Sequence, residues 1–504
     1  MSNKKKLGIK TLFGAIILNM IISTYHLTPN LFTYFYSYLA YINEDIYSRD
    51  IVELYLNLSH IINLLFIPLG IILNFVFHFN TNTLTGISLS LNILSKYLLM
   101  NCSSNNKFIA YLIIKSSSNG LCLLPILYEL WNYYPDKKGL MTGMFFLGKG
   151  LTYLIYESIS IRIINPYRIN IIKNERVYPS EVNENYFICL KIFLTILCIL
   201  SSICQSLIYP YSIYANYYNL KMSKFKEKLN RGQLKDFYIL SSPRRTIDST
   251  KNTSIDNWVL GNCDKENDTK KEIEEPFISL ITSYPYIQLT SIYFLVNVFN
   301  SIDLPSINKI GFNNNFGKKY LAYTDMIWKC TIIITNVILG TLLDKMKFKK
   351  FLIYLLLILI FSISIFYFIT NDKYGFIIFN MLSSVINSIN NVIVPISFSK
   401  IFGEKNGLLL FGISSTVINT FCIYSSFINQ ILVEKIYYFV LCLICTVFYM
   451  VALITLCLFE EKNHIYKNED ENKNEIMFND LSQEQELDDI CDIKEFENLN
   501  DENK

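Results

Sequence analysis

Gly340-Thr-Leu-Leu-Asp344-Lys345-Met-Lys347-Phe-Lys349-Lys350 stands between two apolar runs, 321–343 and 351–369. A carboxylate and four lysines crowded between two runs of membrane-crossing length mark a tight polar turn joining two spans. A related pattern, Gly70-Ile-Ile-Leu-Asn74, closes another apolar run 270 residues earlier. A second pair of motifs behaves the same way: Pro135-Asp136-Lys137-Lys138-Gly139 and Gly403-Glu404-Lys405-Asn406-Gly407 each follow an apolar run and lie 268 residues apart. Two unlike motifs sharing nearly one offset predict a parallel repeat of six spans.

Working outward, apolar runs bounded by charges and turn residues fall at 11–36, 52–76, 82–101, 108–132, 139–162, 186–208, 284–302, 321–343, 351–369, 375–398, 407–432 and 436–459. The expected fold is all-α and polytopic, with twelve transmembrane helices in two six-helix halves, 1–208 and 284–459. The first run is too long for a signal-peptide core and reads as the first span. Of the 504 residues 52% are hydrophobic and 17% charged, which disfavours a water-soluble enzyme. Residues 209–283 are polar and read as a linker. Within it, 216–237 is basic, with Leu220, Phe225, Leu229 and Leu234 spaced for a helix on a membrane surface; a solvated linker is the plainer reading. Residues 460–504 carry 16 acidic residues against 5 lysines and are expected to form an acidic disordered tail.

Placing both termini in the cytosol puts 24 Lys/Arg on the cytosolic side and about 11 opposite, which fits the positive-inside rule. The chain is thus expected to be an integral multi-pass protein of the lipid bilayer.

Chemistry-bearing clusters are sparse. Cys122, Cys198, Cys330 and Cys457 lie singly in apolar runs and read as small buried residues. Cys442 and Cys445 form a CxxC inside a lipid-length run, out of redox context. His26, His60, His78 and His464 include no pair at metal-ligand spacing. No metal, cofactor, nucleic-acid partner or enzymatic constellation is expected.

Gly340–Lys350 resembles the loop signature of the major facilitator superfamily, GxxxD(R/K)xGx(R/K)(R/K), with Lys347 and Phe348 replacing Gly and Arg. The 70–75 copy has Asn74 for the acid and Phe75 for the base. Trp131-Asn-Tyr-Tyr-Pro135-Asp-Lys-Lys-Gly139 with Gly143, Gly148 and Gly150 resembles the matching segment of the oxalate:formate antiporter and monocarboxylate porter branch. Phe402–Gly407 with Gly412 does so in the second half. The resemblance covers about residues 8–459. It implies a monomeric secondary carrier of small organic anions, monocarboxylates foremost, working by alternating access, with protons as a candidate coupling ion. It also implies gating roles for Gly340, Asp344 and Lys345 and for Asp136 and Lys137. Two cations of the branch are missing: Asn336 stands at the arginine position and Ile418 at the lysine position. Amino-acid or other small-solute carriage, and a transport-dead receptor or scaffold, are the alternatives.

Other residues must then supply the site. Lys149 lies about 16 Å into its span, near the bilayer midplane, either as a substrate or coupling residue or as half of an ion pair. Asp325 and Lys329 are spaced i,i+4, and Lys329 shares the face of Asn336, so a local ion pair and an outward-displaced anion site are both open. Glu157 is too far along the helix axis to bond Lys149, and opposite helices could bring Lys115 or His60 near it. Lys96 and Lys191 lie near span ends and are expected to snorkel. Polar stretches complete the candidate cavity: Tyr25 and His26, the latter a proton-coupling candidate, Ser116–Asn119, Ser383, Ser384, Asn387, Asn391, Ser414–Thr416 with Ser415, and Asn419. Helix-to-helix hydrogen bonding is the plainer reading of each.

Overall fold

The computed structural model describes residues 3–23, 29–42, 49–102, 104–167, 169, 178–216, 223, 277–314, 316–369, 372–433 and 438–459. Tyr25 and His26, the 216–237 stretch apart from Asn216 and Ser223, and the 460–504 tail fall outside them. The chain divides into two units. The first holds residues up to Pro210 together with those from Gln288 onward, and the second is Tyr211–Ile287. The second is described at its ends, where residues 211–216 and α8 (Phe277–Ile281) are helical.

In the first unit the amino-terminal half contains α1 (Asn3–Ser23), α2 (Pro29–Ile42), α3 (Arg49–Phe75), α4 (Thr81–Met100), α5 (Asn105–Tyr133), α6 (Lys138–Ile164) and α7 (Ser180–Leu207). The carboxy-terminal half contains α9 (Tyr284–Asn313), α10 (Lys318–Lys345), α11 (Phe348–Ile369), α12 (Lys373–Ser388), α13 (Val394–Phe402), α14 (Glu404–Val433) and α15 (Tyr438–Leu458). A single π turn, Ile389–Ile393, joins α12 to α13. Among the described residues, six helices are long and apolar enough to cross a membrane: Lys4–Ser23, Leu54–Phe75, Asn105–Tyr133, Ser180–Asn216, Tyr323–Lys345 and Lys373–Phe402. Large apolar side chains stand exposed on the outside of the bundle, including Phe361 at 68% and Ile454 at 60%. In a polytopic chain such a surface faces lipid.

Three sequence expectations need correction. The run 11–36 is two helices, because Pro29 lacks an N–H and suits the first position of a new helix. The run 284–302 continues helically to Asn313, since the backbone ladder that propagates a helix does not require apolar side chains. Lys96 does not snorkel: it is 8% exposed, because its face of α4 turns into the bundle near Cys189. Lys191 is exposed, its ammonium 4.3 Å from the Phe187 ring centroid. Cys122, Cys442 and Cys445 are buried, but Cys198 and Cys457 are exposed on the apolar outer surface, where a thiol is tolerated as well as in the core. Outside the helices, burial pushes the Cys102 thiol up to about 11, so it stays protonated.

One end of the bundle, the terminal face, collects the start of α1 and the end of α15. Tyr134, just after α5, packs on Gly8 near the start of α1. The Lys349 ammonium donates to the carbonyls of Cys457 (2.8 Å) and Phe459 (2.7 Å), satisfying acceptors left open at the end of α15. At the other end of the amino-terminal half an aromatic cluster of α2, α5 and α7 packs together, with Tyr38 and Tyr186 rings 4.9 Å apart.

Candidate functional site

Two seams join the halves: α6 against α10, and α3 against α14. The first is built on missing side chains. A Cβ on Gly139 would fall onto the Gly340 carbonyl, and one on Gly340 onto the Gly139 carbonyl. A Cβ on Gly143 would strike the backbone of Asn336, and one on Gly150 the side chain of Ile333. Gly139, Gly143 and Gly150 recur at spacings that keep them on one face of α6, so the two helices approach closely over about 16 Å, backbone on backbone at Gly139 and Gly143. On the second seam, Thr416 on α14 donates to the Leu64 carbonyl of α3 at 2.7 Å, and Gly412 packs on Pro68 and Leu124. These contacts run from the terminal face to about mid-depth.

The terminal end of the α6–α10 seam is locked by charge. Asp344 Oδ1 accepts from the Gly139 N–H at 2.7 Å and Oδ2 from the Leu140 N–H at 2.8 Å. A carboxylate from one half thereby caps the amino terminus of a helix in the other, where open N–H groups and the helix dipole favour negative charge. Lys138 adds an ion pair to Glu404 of α14 at 2.6 Å. Both side chains keep partial solvent access, so the pair contributes only about 0.2–1 kcal/mol. The first-half counterpart of Asp344 does none of this: Asn74 donates to Phe79 O (2.8 Å) and Thr81 Oγ1 (3.3 Å) in its own loop. Lys345 is exposed beside the lock. Asp136 and Lys137 are exposed in the 3₁₀ turn Pro135–Lys137, and it is Lys138 that bridges the halves.

Deeper along the seam lie the polar groups. Lys149 is half-buried on α6 and makes no hydrogen bond or ion pair with the described residues, while its charge reaches His60 on α3. Antiparallel pairing of α6 with α10 sets Lys149 level with Lys329, which is buried and bonded to Asp325 at 2.6 Å. The pair at i,i+4 read from sequence is therefore formed. One to two turns toward the terminal face, Asn336 is wholly buried, and neither its oxygen nor its nitrogen has a partner. Glu157 and Asn387 lie on α6 and α12, with side chains outside the described set.

The π turn packs on both α6 and α10 and closes this junction from a third side. Ser388, at its entrance, shares a hydroxyl hydrogen bond with Thr335 of α10 at 2.7 Å. Within the turn Asn391 is half-buried, and Asn390 donates to Asn297 Oδ1 of α9 while its own oxygen lacks a partner. Single π turns accommodate an extra residue and recur at functional sites. Ser415 and Asn419 bond to each other along α14 at 3.0 Å, and Ser414 to Thr290 at 3.1 Å. Ser116–Asn119 are buried against α4 and α3, where Lys115 donates to Asn92 at 3.1 Å. His60, Lys138, Glu404, Asn297 and Asn390 were not among the residues singled out as site candidates. The Asn390-Asn391 doublet was the visible signal for the last.

No family model and no curated protein matches the chain. Solved structures do. A structure of a variant of the E. coli fucose:proton symporter FucP superposes with TM-score 0.54 at 11% identity, covering 89% of this chain and 98% of that one. A FucP structure described as a major facilitator superfamily transporter in the outward conformation gives TM-score 0.55 at 13% identity with the same coverage. At such identities the likeness is one of architecture, and the helical membrane bundle described above has the major facilitator fold.

Proposed function

We propose that this chain is a secondary transporter of small organic anions, monocarboxylates foremost, and not an enzyme. Its two halves, in this reading, cross the membrane twelve times with both termini and the 209–283 segment cytosolic, and the carrier works as a monomer. The observation that carries the reading is Lys149: a cation at mid-depth, beside the seam, without an anionic partner among the described residues. A charge so placed is costly unless it serves a wet pathway or a ligand. The fold supplies the rest. Its halves touch on the terminal side through glycine-lined backbones and a helix-capping carboxylate, an arrangement that seals one face and must part when the halves rock. With the terminal face cytosolic, as proposed, closure on that side corresponds to an outward-facing state.

Uptake by purified protein in proteoliposomes, across labelled carboxylates, amino acids and sugars, tests the proposal. Carboxylate uptake is expected, abolished by Lys149→Ala and partly kept by Lys149→Arg. A folded Lys149→Ala protein that transports carboxylates normally would overturn the role of Lys149, and absence of any uptake would favour a receptor or scaffold. Topology is checked separately: protease added to the cytosolic face of oriented vesicles is expected to cut within 209–283. Cleavage from the other face would reverse the assignment.

A further inference from the structure

We infer that the Thr416 hydroxyl of α14 and the Leu64 carbonyl of α3 form a switchable latch between the halves, and that Pro68 creates it. The latch presupposes the rocking of the halves proposed above and supplies the group that holds the α3–α14 seam in one state and lets go at little cost.

A proline inside a helix leaves the carbonyl four residues before it without the N–H that would normally bond it. Pro68 lies inside α3, and the carbonyl it releases is that of Leu64. Thr416, on the opposite half, donates to that oxygen at 2.7 Å. Pro125 inside α5 releases the Leu121 carbonyl in the same way. A Cβ on Gly70 would fall onto that second oxygen, so α3 of the same half covers it. Of these two released acceptors, one is covered within its own half and the other is bonded from across the seam. Leu64 stands 11 residues from the end of α3 at Phe75, and Thr416 stands 12 from the start of α14 at Glu404, which sets the bond about 16–18 Å from the terminal face.

Thr416 also has a second acceptor. Its hydroxyl oxygen is 2.9 Å from the Gly412 carbonyl, four residues back in α14. A hydroxyl carries one proton and donates to one of the two at a time. With the seam closed, Leu64 has the stronger claim, because the Gly412 carbonyl is already served by the Thr416 N–H of its own helix ladder. With the halves apart, the hydroxyl turns back to Gly412, a bond that threonine makes readily in helices, and water entering the gap serves Leu64. Neither group is stranded in either state, so the latch can open and close repeatedly inside a bilayer, where an unserved backbone carbonyl is costly. Gly412 packs on Pro68, which holds hydroxyl and carbonyl in register.

The test is a mutant cycle read by thiol labelling of the purified protein. Leu408, one turn nearer the terminal face than Gly412 on α14, is wholly buried. The rate at which Leu408→Cys reacts with a water-soluble maleimide, counted above the labelling of the native cysteines, therefore reports terminal-side opening. Thr416→Val keeps the shape and removes the hydroxyl, and is expected to raise the rate about three- to tenfold, the equivalent of one neutral hydrogen bond. Thr416→Ala should act alike, and Thr416→Ser should leave the rate unchanged. Pro68→Ala restores an N–H at position 68 and returns to Leu64 its own helix donor, so in that background Thr416→Val should change the rate by less than about twofold. Thermal unfolding verifies that each variant is folded. An equal rise in both backgrounds would overturn the role of Pro68 and with it the latch. No rise in either, with Asp344→Asn still raising the rate, would overturn the latch and leave the rocking of the halves standing. No rise in any variant, Asp344→Asn included, would overturn both.

Discussion

Lys149 and Asn336 are single side chains held at a cost, and each makes a stability prediction opposite to that of an ordinary core residue. A buried cation paired with a carboxylate is missed when removed, by about 3–5 kcal/mol, because the partner is left uncompensated. Lys149 makes no such pair with the described residues. Lys149→Met is therefore expected to abolish uptake while leaving thermal stability in detergent unchanged or raised; a loss of the size just given would reveal a structural partner. Asn336→Leu replaces two open polar atoms with a side chain of similar size, and stability is expected to rise by about 1–3 kcal/mol, the cost of an unsatisfied buried group. A fall in melting temperature would mean that Asn336 is bonded in the folded protein. Much of this was legible in the sequence: a lysine eleven residues into an apolar run needs no structure to stand out. That Asn336 is orphaned was not, because satisfaction depends on what neighbouring helices present.

Among elements, α6 and α10 show what a sequence conveys and what it hides. Gly139, Gly143 and Gly150 announce a helix face without side chains, and the Gly340–Asp344 turn announces a helix end. Their mutual fit, with carbonyl oxygens in the places of missing Cβ atoms, appears only when both helices are seen. Gly340→Leu should force the seam apart, since the obstacle is backbone that has no rotamer to yield. Loss of the folded protein, or a shift of labelled cysteines on the terminal face toward accessibility, is the expected outcome; unaltered labelling and stability would show that the seam adapts. The ends of α1 and α9 were misjudged for complementary reasons. Pro29 breaks an apolar run that hydropathy treats as one, and α9 continues through polar residues that hydropathy treats as an end. The π turn left no sequence signal beyond two adjacent asparagines, because a π turn arises from one surplus residue in an otherwise helical run.

For the molecule as a whole, the motif offsets predict a repeat, and Asn74 against Asp344 predicts a departure from its symmetry. The structure adds its meaning: one seam carries a charged helix cap, while the counterpart on the other seam bonds only within its own loop. Hydrogen bonds to a charged group contribute about 1.5–3 kcal/mol, so Asp344→Asn should shift the balance between facing states by roughly 10–100-fold toward terminal-side opening. Accessibility of cysteines placed along α6 and α10 measures that shift. Slower or faster exchange with unchanged accessibility would place Asp344 outside the conformational balance.

Lys349 clasps the last carbonyls of α15 while standing a few residues beyond Asp344 in the same turn. The short stretch from 344 to 350 thus grips the opposite half with its first residue and the end of its own half with its sixth. When Asp344 releases α6, the turn remains anchored at Lys349, and the freed carboxylate stays within reach of the helix terminus it has left. Reclosure is then a local recapture at high effective concentration rather than a search. In the proposed transport cycle, turnover would be set by how long the carboxylate stays away from that terminus.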